Sequence, residues 1–139
     1  MVRMDVVTVG VVPGSSGIVL VLREWEGKRL LAMEIGPAEA NAIAVAVEGV
    51  QVPRPLTHDL LAQILRQLEV KVSSVAVVNY DEQIFYGKVS LDTPKGSIEV
   101  DARPSDAIAL ALRQGAPIYA EDKVLLAAGV STDEGHIVH

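Results

Sequence analysis

The chain has 139 residues, half of them hydrophobic, a net charge of −6 and no cysteine. That length suits one domain with a real core, and the missing cysteines close off disulfides, thiolate zinc sites and cysteine nucleophiles. The acidic balance argues against a general basic face for nucleic acid, yet carboxylates that hold Mg²⁺ or Mn²⁺ also make a site acidic, so a nuclease stays open.

In chain order, Asp5 to Pro13 and Ile18 to Glu24 are β-branched runs around Gly14-Ser15-Ser16-Gly17, a hairpin pattern. A turn at Glu26-Gly27 leads to a third strand, Arg29 to Ile35, completing a meander. Gly36-Pro37 opens a helix over Ala38 to Glu48 that ends at Gly49; it is so apolar that deep burial is expected. Thr57 opens a second helix, in which Leu60, Leu61, Ile64, Leu65 and Leu68 recur along one stripe.

Val70 to Tyr80, Ile84 to Asp92 and Ser97 to Asp101 make a second meander, with turns at Asp81-Glu82-Gln83 and Thr93-Pro94-Lys95-Gly96. Tyr86, inside a strand, is expected in the core. Ser105 to Gln114 is a third helix closed by Gly115, followed by a short strand Ile118 to Ala120 and a helix Glu121 to Ala128. The implied class is α+β: a mainly antiparallel sheet of two meanders packed with three to four helices. One domain over 1–129 and a flexible tail over 130–139 are expected.

With one Trp, three Tyr and one Phe, the core must be aliphatic. The mean hydropathy of +0.33 suggests aliphatic surface buried between subunits, so self-association is expected. No apolar run approaches the ~20 residues of a membrane span, and MVRMDVV lacks the layout of a signal peptide, so the chain reads as cytoplasmic without a membrane partner. Walker, GxGxxG, HExxH and GxSxG motifs are absent, and PGSSG reads as a turn.

Two helix mouths repeat one vocabulary, VPRPLTHDLL and DARPSDAIAL. Thr57 and Ser105 suit N-caps, and Asp59 and Asp106 suit the positive end of a helix dipole. Capping leaves Arg54 and Arg103 unexplained. Either each pairs with the aspartate across its turn, or arginine and free helix N–H groups together hold a phosphate or carboxylate. Asp101, two residues before Arg103 on a strand, is a further ion-pair candidate. His58 is a candidate general base or metal ligand whose tautomer a carboxylate would set. Glu39, third in the first helix, joins Asp59 and Asp106 as a third carboxylate at a helix start. If those ends converge, a Mg²⁺ or Mn²⁺ site follows.

The segments EIGPAEANAIAVAV, VPRPLTHDLL, FYGKVSL and DARPSDAIALALR, in this order, resemble the bifunctional nuclease domain, named for activity on both DNA and RNA, over Met4 to Gly129. The resemblance implies a compact α+β fold, self-association, and a site containing Glu39, Arg54, Thr57, His58, Asp59, Arg103, Ser105 and Asp106. Relatives commonly have proline, glycine and alanine where this chain has Ala32, Glu69 and Gly87. Many carry a further C-terminal segment, so functions that need it are not expected here.

Two functions follow. In a metal-dependent nuclease, Glu39, Asp59 and Asp106 would hold Mg²⁺ or Mn²⁺, Arg54 and Arg103 would bind phosphate with Thr57 and Ser105 beside them, and His58 would handle protons. In a non-catalytic oligomeric module, the arginine mouths would hold an anionic ligand or a partner carboxylate.

Overall fold

Two antiparallel meanders, each bounded by helices, are joined through one short strand. The computed structural model describes residues 1–11, 14 and 17–131. The first pass is β1 (Val2–Val11), β2 (Ile18–Glu24), β3 (Arg29–Ile35) and α1 (Pro37–Glu48). The second runs through α2 (Thr57–Gln67), β4 (Lys71–Asp81), β5 (Ile84–Thr93), β6 (Gly96–Ala102) and α3 (Pro104–Gln114). Then come β7 (Ile118–Ala120), α4 (Asp122–Ala128) and β8 (Val130–Ser131).

Among the described residues the eight strands form one sheet in the order β6-β5-β4-β7-β1-β2-β3-β8. β7 is the seam: Tyr119 pairs with Arg3 of β1 antiparallel and with Ala76 of β4 in parallel. The other pairings are antiparallel. The α+β class read from the sequence is therefore the class observed.

α3 is the central helix. Its Ala107, Ile108, Ala109, Leu110 and Ala111 are all at most 4% exposed, because β4 and β5 cover one side and α1 and α2 pack on the other. Three alanines in that run let the neighbours approach closely. Gly49 and Gly115, both at φ 67°, end α1 and α3 in the left-handed conformation that glycine adopts without steric cost. Glu69 occupies the matching position after α2 at φ 60°, so the glycine common among relatives is replaced here by a residue that pays for its Cβ.

Several expectations are corrected. α1 buries only Ala40, Ala42 and Ile43, and Val47 is exposed; it lies over α3 as an outer layer, so one face meets solvent. The α2 stripe is largely outward, with Leu60, Leu61, Ile64 and Leu68 all exposed while Ala62 is buried and Leu65 packs on the core. Periodicity located the helix, but the close approach to α3 was made by the small residue. Tyr86 is also exposed, because it alternates with the buried Gly87, Val89 and Leu91 and so stands on the opposite face of β5. The ordered domain continues past 129, since Val130 and Ser131 pair with Leu30 and Arg29. The rest of the expected tail, with His136 and His139, lies outside the described residues, as do four residues between β1 and β2. Among the described residues no helix is long and apolar enough to cross a membrane.

The exposure pattern sets a stability contrast. Ile64→Ser is expected to change unfolding free energy by no more than about 0.5 kcal/mol, whereas Ile108→Ala, at a site 1% exposed, should cost about 2–5 kcal/mol in urea unfolding. Equal costs would show that α2 is covered in solution.

Candidate active site

The first turns of α1, α2 and α3 meet on one side of the molecule through their side chains. Pro104 starts α3 with its φ already helical, and Arg103 before it is the extended N-cap residue (φ −66°, ψ 142°). That backbone sends the Arg103 side chain outward, 66% exposed, while two carboxylates hold it. Its Nε donates to Asp106 Oδ2 at 2.8 Å, and its terminal Nη1 donates to Glu39 Oε1 at 3.3 Å. The other oxygen of Asp106 lies 2.9 Å from His58 Nε2. One chain of contacts thus runs Glu39–Arg103–Asp106–His58, joining all three helices.

Glu39 is held from below. Its side chain, 16% exposed, folds back over Gly36, where a Cβ would come within 2.5 Å of Oε1. A side chain at 36 would make the end of the Glu39 side chain shift from the place where it meets Arg103.

Asp59 is turned elsewhere. Its Oδ2 accepts from the backbone N–H of Leu56 at 2.8 Å and its Oδ1 from Arg113 Nε at 2.6 Å. Arg113, 8% exposed, also donates to the carbonyls of Ala42 and Ala109. It ties the end of α3 to α1 and to the start of α2, and so fixes the turn that carries His58. Sequence reading missed it. The available signal was a cation ending a helix of buried aliphatics, a place where an arginine must find a partner.

Thr57 and Ser105 are not N-caps. Those places belong to Leu56 and Arg103, neither of which caps with its side chain; Thr57 is exposed at the first helical position, and Ser105 is buried at the second. The reason is local: Asp59 caps α2 by reaching back three residues to the Leu56 N–H, and Pro104, its φ already helical, starts α3 one residue ahead of Ser105. Arg103 pairs with Asp106 across its turn as one reading required, and not with Asp101. Arg54 is exposed and has no ion pair among the described residues.

The expected metal triad does not assemble. Among the described residues no group of three or more His, Asp or Glu is arranged to hold a metal ion. Asp59 is committed to Arg113, and the Arg103 guanidinium bridges Glu39 and Asp106 where a cation would have to sit. These residues, so disposed, do not fit a resident Mg²⁺ or Mn²⁺.

The electrostatics agree with the pairing. Burial would raise the Asp106 carboxyl, but the Arg103 and His58 hydrogen bonds outweigh it and hold the group below its ordinary value. Asp59 is lowered chiefly by the Leu56 N–H, with Arg113 adding to it against burial. A carboxyl lowered on folding stabilises the fold above its unfolded value of about 3.9 and loses that contribution as pH falls through the folded value. Unfolding free energy should therefore fall as pH drops below about 4, and Asp59→Asn should flatten that acid limb in urea titrations. An unchanged limb would show that the Asp59 pairing is not formed in solution.

A cavity of about 750 Å³ opens beside Arg103, reaching Glu39 and Ser105 and bounded by β3 and the β4–β5 hairpin. Fold and site together define an α+β domain that presents an arginine and a His–Asp pair at joined helix mouths. The chain belongs to the bifunctional nuclease domain family, whose family model matches residues 20–133. Two Mycobacterium tuberculosis proteins, from different strains and both described as uncharacterized, are 46% identical to it over 112 residues. That match covers 81% of this chain and 66% of each relative, so it spans just under two thirds of their length.

Proposed function

We propose that this protein hydrolyses phosphodiester bonds of DNA and RNA, using the cluster of Arg103, Asp106 and His58. The observation that carries the reading is Arg103: a guanidinium tied at two nitrogens to carboxylates yet 66% exposed, pre-oriented for a phosphate oxygen. Arg54, exposed on the lead-in to α2, supplies a second positive charge. Asp106 orients the His58 ring through Nε2, which leaves Nδ1 to exchange protons. In the reaction, water adds to phosphorus and the bond to the leaving oxygen breaks. One water proton is taken up by the base, and the leaving oxygen is protonated as it departs.

The non-catalytic module remains the second reading because the cluster is already internally paired, with two carboxylates against one guanidinium. An anion must compete with Glu39 and Asp106 for Arg103. The outward aliphatic residues of α2 support self-association under either reading.

The test is cleavage of labelled single-stranded and duplex DNA and of RNA by purified protein in Mg²⁺, in Mn²⁺ and in EDTA, beside Asp106→Asn of verified fold. Cutting that the variant loses supports the nuclease. Cutting abolished by EDTA would mean that Arg103 yields its two carboxylates to a metal, and no cutting under any condition favours the module.

A further inference from the structure

The cavity beside Arg103 has a composition that the hydrolytic cluster does not use. Tyr80 and Phe85, cross-strand partners at the end of the β4–β5 hairpin, form one aromatic wall, with ring centres 4.5 Å apart and planes tilted by 44°. Both pack partly on the core, so the wall is braced. The hairpin turns on Glu82 and Gln83, both at positive φ (48° and 67°), and this tight reversal brings Gln83 and Ile84 to the cavity edge. Ser105, 6% exposed, lines the interior, and its hydroxyl forms no hydrogen bond among the described residues. At about 750 Å³ the space lies within the ~300–1,000 Å³ of small-molecule sites.

Charge is distributed in a telling way. Glu34 and Glu39 line the cavity, and its single cation among the described residues, Arg103, is largely exposed. An anion inside would face carboxylates, whereas a neutral ring with N–H donors would meet acceptors, and its attached phosphate would stay outside with Arg103. We propose that this cavity is a subsite for one unpaired nucleobase of a single-stranded nucleic acid. The base lies against the Tyr80–Phe85 wall, with its polar edge toward Glu39, Ser105 and Gln83. The assignment rests on Arg103 gripping the adjacent phosphate, as proposed above. A duplex must first unpair and extrude a base to enter such a site, so single strands are the favoured ligand.

The experiment titrates the full chain in EDTA into a single-stranded oligodeoxynucleotide carrying 2-aminopurine, with its matched duplex in parallel, and reads quenching of the probe base. Saturable quenching by the single strand is expected, with the duplex bound at least tenfold more weakly. Phe85→Leu should raise the single-strand Kd about tenfold, the scale of one lost base–aromatic stack. Gln83→Gly, at a backbone position that glycine favours, removes a polar contact while keeping the fold, and should weaken binding several-fold; it carries the test if Phe85→Leu is unstable. No quenching, or equal affinity for single strand and duplex, overturns the proposal. Cleavage lost in Asp106→Asn but with Kd and KM unmoved by both cavity substitutions overturns the subsite and leaves the nuclease standing. Quenching that Phe85→Leu weakens, in a protein that cuts nothing, leaves the subsite standing and removes the nuclease.

Discussion

Asp106→Asn is expected to lower the rate of phosphodiester cleavage by about 10²–10⁴-fold, the usual range for loss of general acid–base assistance. The substitution keeps the shape of the side chain and removes its charge. Asp106 serves two partners at once, Arg103 at 2.8 Å and His58 at 2.9 Å, so the loss both frees the arginine and leaves the imidazole without an anionic orienting group. The defect should fall on kcat more than on KM, since Arg103 and the cavity, proposed to bind the strand, are both retained. Because the Asp106 side chain is 31% exposed and at a helix start, the fold should survive, and a circular dichroism melt close to wild type would confirm it. Cleavage by a folded variant at the wild-type rate would remove Asp106, and with it the His58 pair, from the chemistry.

A large stability effect is also expected at Asp59. Asp59→Ala should cost about 3 kcal/mol or more in guanidinium unfolding, near the lower end of the range for breaking a buried pair because Asp59 is itself 27% exposed. The change strands the Arg113 guanidinium, 8% exposed and already holding one terminal nitrogen without a partner, and it uncaps the Leu56 N–H. The double variant Asp59→Ala/Arg113→Met should recover more than half of the loss, since an apolar replacement leaves no buried charge. A single variant within 1 kcal/mol of wild type would show that Asp59 is free for the metal or catalytic role its sequence position suggests.

Most of the fold was legible because it is written in local patterns. β-branched runs broken by Gly-rich or Pro-rich turns gave the two meanders, and Pro37, Gly49 and Gly115 marked helix ends that the structure places within a residue or two. The site was half legible. The repeated Arg-Pro mouths located Arg103, Asp106 and His58, which the fold brings together, but the near-identical wording suggested equal roles for two aspartates. Asp106 stays at the exposed cluster and Asp59 is drawn to Arg113, a residue 54 positions away. No spacing rule carries that information, because the partner is chosen by how α3 lies across α1 and α2.

The amino-acid sequence by itself determined the element order as far as α4, the α+β class, the family and the short segments that meet at the joined helix mouths, since each follows from backbone preference and nearest-neighbour composition. The tertiary structure alone decided which face of α2 meets solvent, which carboxylate meets which arginine, and that Tyr80, Phe85 and Ser105 border one cavity. Those outcomes depend on packing between elements far apart in the chain. There, close approach favours alanine over leucine against α3, and a buried guanidinium takes the nearest carboxylate.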